Sequence, residues 1–311
     1  MDKKATGKLI RGVGGLYEVL LENPTRRVFA RARGELRHLG LSPLVGDEVE
    51  VLFSGNGENE GENAVVERIL PRKNALIRPP LANLDLLFLT FAASHPAPDL
   101  STVDKLCSIA EYEKIEPVLV IGKQDLDADA AKRYAELYKK AGFTVFTLSA
   151  RGGEGVAPVR AYIENHLAGK TAAFAGASGV GKSTLLNALF PELSLTTGEV
   201  SRKTERGKHT TRRVELYPVS GLDGAFIADT PGFSLLDFVR FDFFPPEDLF
   251  DTMRDFAPYF GACRYTKCTH TKEEGCAILN AVKKGEIAPS RHQSYLLMYE
   301  ALKDKHEWSK K

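Results

Sequence analysis

Residues 176–183 read Gly-Ala-Ser-Gly-Val-Gly-Lys-Ser, the G-x-x-x-x-G-K-S spacing of a phosphate-binding loop. Polyphosphate is densely charged, so its pocket needs backbone N–H groups that converge on it, and a Cβ at the approach positions would hold them apart. Gly176, Gly179 and Gly181 remove that obstacle. The flanks carry the rest of the signal. Residues 171–175 are a short apolar run suited to a buried strand, and residues 182–190 place Leu185, Leu186 and Leu189 at the spacing of an amphipathic helix. Strand, loop and helix in that order separate the motif from a chance glycine-rich turn. The stretch Gly176, Ala177, Ser178, Gly179, Val180, Gly181, Lys182, Ser183 and Thr184 is therefore assigned to polyphosphate. Lys182 is placed to reach the β- and γ-phosphates and the Ser183 hydroxyl to ligate Mg2+.

Three shorter motifs sit at the ends of other apolar runs. Lys123-Gln124-Asp125 follows residues 117–122, Ser149-Ala150 follows residues 143–148, and Asp229-Thr-Pro-Gly232 follows residues 225–228. A carboxylate at the carboxyl end of a strand faces the ligand crevice of an α/β sheet, which points Asp229 to Mg2+ through water and the Gly232 N–H to a γ-phosphate. The order of these motifs, with the phosphate loop after the first two, resembles a circularly permuted GTPase. That resemblance implies GTP and GDP as ligands. Asp125 then accepts from the guanine N1 and N2 groups, the stem of Lys123 lies against the ring with Gln124 beside it, and the Ser149 and Ala150 backbone meets the guanine O6. GTPases usually read Asn-Lys-x-Asp at the first of these loops. Here Gly122 replaces the Asn, which removes one polar tether and leaves specificity mainly to Asp125.

Residues 201–213, Ser-Arg-Lys-Thr-Glu-Arg-Gly-Lys-His-Thr-Thr-Arg-Arg, are strongly basic. Thr210 or Thr211 stands where the first switch of a GTPase supplies its Mg2+-ligating hydroxyl, and the sequence leaves both open. Phe233 follows Gly232 where water-orienting GTPases carry Gln. An aromatic ring cannot hold the attacking water by hydrogen bonds, so slow intrinsic hydrolysis is expected. His209, or a group from a partner, is the candidate replacement, the alternative being a His209 that contacts only phosphate or solvent. The catalytic set is accordingly His209, Lys182 and Thr211.

Cys263-x4-Cys268-x-His270-x5-Cys276 offers three thiolates and an imidazole in one short stretch, the ligand set of a closed tetrahedral structural Zn2+ site with no position open to water. The remaining Cys107 stands alone in a helical stretch and reads as a small core residue. The permuted motif order, the string Cys-Arg-Tyr-Thr-Lys-Cys-Thr-His-Thr-Lys-Glu-Glu-Gly-Cys and the run Lys-His-Thr-Thr together resemble the RsgA family of ribosome small-subunit-dependent GTPases, over essentially the whole chain. The resemblance implies an amino-terminal OB-fold, a permuted GTPase domain and a carboxyl-terminal zinc domain. It also implies binding to the small ribosomal subunit and its rRNA, a part in late maturation of that subunit, and GTP hydrolysis stimulated by it. Family members commonly keep Asn where Gly122 stands, whereas an apolar residue at Phe233 is in keeping with them.

Composition and pattern agree with a multidomain α/β chain of 311 residues. Residues 1–40 carry nine Lys or Arg against four acids, and residues 201–213 carry six against one, so basic ground is segregated although net charge is only +1. No apolar stretch has the form of a signal peptide or the length of a membrane span, and a cytoplasmic monomer is expected. Alternating runs within the first seventy or so residues predict about five short strands of an OB-type β-barrel. A linker is expected over residues 71–80, then strands alternating with helices, a helix opening at Pro245-Pro246-Glu247, and a mainly helical zinc-binding end. The domains expected are 1–72 (OB-fold, RNA-binding), 73–235 (permuted GTPase) and 236–311 (zinc-binding). Two other classes fit parts of the pattern. A P-loop kinase or ATPase would prefer ATP, and an RNA-binding module with a structural nucleotide would turn over negligibly.

Overall fold

Strand alternation curls the amino-terminal chain into a barrel in the computed structural model, which describes residues 3–38, 40–53, 64–76, 79–191, 214–229 and 245–303. The strands are β1 (Lys3–Val13), β2 (Leu16–Glu22), β3 (Thr25–Ala32), β4 (Glu48–Phe53) and β5 (Ala64–Ile69), with the helical turn α1 (Gly34–His38) after β3. They pair in the order β1-β2-β3-β5-β4, and β4 returns to β1, closing five strands as an OB-type barrel. Every second residue points inward, so Val19, Leu21, Val28, Val49, Val51 and Val66 form one apolar core. β1 closes the barrel by pairing with β4 over Lys3–Lys8 and with β2 over Gly7–Val13, with a register shift between Leu9 and Arg11. At Gly7 a Cβ would meet the Leu20 carbonyl oxygen at 2.5 Å, so only glycine lets the neighbouring strand approach that closely.

After the barrel come β6 (Ala75–Leu76), β7 (Leu81–Ala82), β8 (Leu86–Ala92), α2 (Leu100–Tyr112), β9 (Glu116–Gly122), α3 (Ala128–Lys140), β10 (Thr144–Thr147), α4 (Val156–His166), β11 (Thr171–Ala175), α5 (Lys182–Leu189), β12 (Glu215–Pro218) and β13 (Phe226–Asp229). Two 3₁₀ segments, Pro246–Thr252 and Arg254–Tyr259, precede α6 (Ala277–Lys283) and α7 (Pro289–Lys303). The helix expected at Pro245-Pro246-Glu247 is thus a tight 3₁₀ turn. A second such segment follows, and Pro258 inside it can donate no backbone N–H to a longer helical ladder.

The chain forms two compact units. The first comprises Met1–Leu86, Ala161–Phe174 and Glu199–Phe233. In it β11 pairs in parallel with β13, β12 runs antiparallel to β13, and Arg11 pairs with Glu215 to join β12 to the barrel. Within the stretch expected as a linker, described residues are held by side-chain contacts and strand pairing. Arg72 grips the fully buried Asp47 through two hydrogen bonds of 2.7 and 2.8 Å, and β6 and β7 pair with each other. Such a bidentate pair has a fixed geometry and joins the chain after β5 to the loop before β4.

The second unit comprises Leu87–Arg160, Ala175–Gly198 and Ser234–Lys311. Its strands follow the order β10-β9-β8, with β10 parallel to β9. β8 and β9 are buried almost throughout, as expected of strands covered on both faces. Two arginines fasten the carboxyl-terminal segment to α2 and to the start of β9. Arg291 of α7, 1% exposed, bonds Asp104 of α2 at 2.7 Å and Asp255 at 2.8 Å. Arg254 bonds Glu111 and Glu116, the latter at 2.6 Å. Both guanidiniums lie over the Phe143 ring, at 5.4 and 4.9 Å from its centroid.

Removing one partner of a buried ion pair leaves the other charge uncompensated. Arg291→Met should therefore cost about 3–5 kcal/mol in urea-induced unfolding. Arg291→Lys should recover only part of it, because one ammonium lacks the fork that meets two carboxylates. A loss below about 1 kcal/mol would assign the pair no role in holding α7 to α2.

Candidate functional sites

The phosphate loop leaves β11 at Ala175 and turns over a close backbone approach. A Cβ on Gly176 would fall 2.0 Å from the Thr90 carbonyl oxygen of β8, so the loop can begin there only as glycine. Gly179 and Gly181 have φ of 78° and 102°, in the left-handed region, and Gly181 caps the start of α5. Leu185, Leu186 and Leu189 bury the helix's inner face and aim its amino-terminal N–H groups at the loop's mouth. Ser178 and Gly179 are exposed, while Lys182, Ser183 and Thr184 are half-buried at the first turn. The Lys182 ammonium donates to its own loop, to the carbonyls of Gly176 at 2.5 Å and Ala177 at 3.1 Å. Burial pushes its pKa down, so a phosphate anion beside it would restore a favourable partner to the charge.

The two expected base loops lie side by side. β9 ends at Gly122, and Lys123 follows with φ of 57° and its ammonium on the His95 carbonyl at 2.6 Å. The Gln124 N–H donates to the Leu148 carbonyl at 3.1 Å, and the Leu148 N–H donates to Ile121 at 2.9 Å, knitting residues 121–124 to the strand end before Ser149. Ser149 is buried and its N–H donates to Glu154 at 2.9 Å, which fixes the turn through Ala150. The Asp125 carboxylate is exposed, open to a ligand. Lys123, Gln124, Asp125, Ser149 and Ala150 are thus neighbours, and Gly122 borders the phosphate loop at Val180. The sequence reading missed His95 and Glu154. A carbonyl acceptor in a connecting loop has no sequence signature, because every residue carries one.

Asp229 closes β13, with its backbone in register with Glu215. Thr210, Thr211, His209, Gly232, Phe233 and the rest of the basic segment 201–213 lie outside the described residues.

Cys263, Cys268, His270 and Cys276 converge as their spacing predicts, the four ligand atoms lying within 4.8 Å of one another. Cys263 Sγ and Cys276 Sγ each stand 3.5 Å from His270 Nδ1 and 4.0 Å from each other. These separations suit a tetrahedron around one ion, for which metal–sulfur bonds of about 2.3 Å are typical. All the cysteines are free thiols. Burial, with the neighbouring thiols Cys276 and Cys263, pushes Cys268 up to about 12, so that side chain favours its thiolate only if a cation joins it. The loop itself is held by Glu273, whose carboxylate accepts from the N–H groups of Thr269, Thr271 and Lys272 at 2.7, 3.0 and 3.1 Å. Burial raises that carboxyl, but hydrogen bonds led by Thr269 outweigh it and bring it down to about 2. His292 Nε2 donates to the His270 carbonyl at 2.8 Å, and the His270 ring packs against Phe250 at 4.9 Å. Four donors of this kind could hold a metal ion.

The chain is similar to known proteins over nearly its whole length. The family described as RsgA GTPase matches residues 69–239, and that described as RsgA N-terminal domain matches residues 6–61. The chain is 36% identical over 313 residues to the small ribosomal subunit biogenesis GTPase RsgA of Agathobacter rectalis, covering 97% of this chain and 100% of the relative. It is 38% identical over 304 residues to the protein of that name from Caldanaerobacter subterraneus subsp. tengcongensis, covering 97% of each. Among solved structures it is similar to YjeQ from Thermotoga maritima, with TM-score 0.78, 30% identity, and 98% and 100% of the two chains covered. It is also similar to YloQ, a circularly permuted GTPase, with TM-score 0.76, 33% identity, and 98% and 96% covered.

The close approach at Gly176 is directly testable. Gly176→Ala should force the loop away from Thr90 and destabilise the fold by about 1–3 kcal/mol, the usual cost of overpacking. Amide exchange over residues 176–183 should accelerate in the same variant. Unchanged exchange would show that the loop does not depend on this contact.

Proposed function

This chain belongs to the RsgA family of GTPases, and from that premise we propose that it binds the small ribosomal subunit and its rRNA and acts in late maturation of that subunit, hydrolysing GTP to GDP with stimulation by the subunit. The observation that carries the reading is the meeting of three loops: Lys123-Gln124-Asp125, knit to the strand end before Ser149, borders the phosphate loop at Val180. A kinase or ATPase has no need of that carboxylate beside the loop.

Each residue then has a task. The backbone of residues 176–184 cradles the phosphates, and Lys182 leaves its own carbonyls to meet the β- and γ-phosphates. Ser183, Asp229 and one of Thr210 and Thr211 would hold Mg2+, which neutralises charge on the phosphates when bound. The Gly232 N–H meets the γ-phosphate. Asp125 selects guanine through its N1 and N2 groups, with Lys123 and Gln124 beside the ring and Ser149 and Ala150 at O6. Phe233 cannot orient water, so His209 is assigned that positioning role. Cys263, Cys268, His270 and Cys276 hold one structural Zn2+ per chain: three thiolates and an imidazole match that ion, and four protein donors leave no open position. The domains 1–72, 73–235 and 236–311 take the RNA-binding, GTPase and zinc-binding roles in a cytoplasmic monomer. No helix among the described residues is long and apolar enough to cross a membrane.

The deciding experiment measures turnover of GTP and ATP with and without purified small subunits. GTP should be preferred, with intrinsic turnover near the slow regime of about 10⁻⁴–10⁻³ s⁻¹ and large stimulation by the subunit. Equal use of ATP, or no response to the subunit, would overturn the reading. Asp125→Asn should shift competition binding from guanine toward xanthine nucleotides, and an unaltered profile would remove Asp125 from base recognition. Metal analysis of protein purified without chelator should give one zinc per chain. Cys268→Ala should lose it and loosen the region around residues 250–300 while nucleotide binding persists.

A further inference from the structure

Gly122 is a glycine that its backbone does not require. It lies outside the left-handed region that favours glycine. A Cβ built on it would stand 3.3 Å from the Val180 carbonyl oxygen and 3.8 Å from that of Phe91. A side chain is therefore admissible after a shift of a few tenths of an ångström, and it would be directed at a carbonyl of the phosphate loop. A donor there would tie the base loop to the phosphate loop. Glycine supplies no such donor.

Each loop has anchors of its own. On the base side, Lys123 is fastened to His95 and Gln124 to Leu148. On the phosphate side, Gly176 lies against Thr90 and Lys182 bonds its own loop. Resting on the GTPase reading above, we propose that Gly122 sets nucleotide residence: with no side chain at this position to tie the loops, base and phosphates are held more independently and the nucleotide leaves quickly. A ligand held at two ends dissociates slowly when the ends must let go together. It dissociates faster when either can detach first and the site can deform between them.

The test follows release of a fluorescent methylanthraniloyl-GDP from the full chain by stopped flow. Gly122→Asn should slow release by about three- to tenfold, the factor that one neutral hydrogen bond supplies. Gly122→Ala, which adds the Cβ without a donor, should not slow it. Where Gly122→Asn lowers the melting temperature, Gly122→Ser, with a smaller hydroxyl donor, is read in its place. Release from a folded donor variant as fast as from the parent overturns the proposal, as does equal slowing by Gly122→Ala. A parent chain that binds no guanine nucleotide would instead sink the GTPase reading, so the two failures are distinct.

Discussion

A carbonyl oxygen on β8 occupies the space where a side chain on Gly176 would be, and the nucleotide region is organised around that exclusion. Because the phosphate loop starts directly against Thr90, it rises beside the edge at which β9 and β10 end. Those two strand ends carry Lys123 to Asp125 and Ser149 to Ala150. Loop proximity therefore follows from where strands terminate, not from the order in which the chain visits them. This is why a permuted motif order is physically harmless. The site survives relocation of the chain ends as long as the strands keep their places.

The same two strands are gripped at their other ends. Glu116 opens β9 and Phe143 precedes β10, and Arg254 bonds the first while stacking on the second. Arg291 adds a buried bond to Asp104 and a contact with the same ring. Buried ion pairs carry a desolvation cost that is offset only by good geometry, and here two carboxylates serve one guanidinium. The segment bearing the Cys and His cluster is thus fixed to the strands that end in Lys123–Asp125 and Ser149–Ala150. The Cys and His segment and the loops at Lys123 and Ser149 share a mechanical support in β9 and β10.

Inside the cluster, ligand convergence and ligand chemistry have different origins. Chain spacing brings Cys263, Cys268, His270 and Cys276 near one another, whereas Glu273, His292 and Phe250 orient the loop that bears His270. Burial pushes the Cys268 and Cys276 thiols up, so these two are poor thiolates until a cation balances them. A bound cation would link metal and fold, since it would stabilise the state in which the donors meet.

What could be read without coordinates was whatever rests on short spacing. The phosphate loop, the Cys and His cluster, the five alternating strands and the strand-end motifs all depend on residues a few positions apart, where covalent geometry limits the outcomes. Gly122 as a departure from Asn-Lys-x-Asp was visible in the same way. The docking of residues 71–76 on Asp47, the hold of His95 on Lys123, the ion pair between Arg291 and Asp104, and the direction of a side chain at Gly122 were not. Those contacts join residues tens to nearly two hundred positions apart, and each uses a charge or carbonyl whose sequence environment is ordinary. Only folding determines which distant charge arrives beside a buried one, because the cost of leaving it alone exists only once water has been excluded.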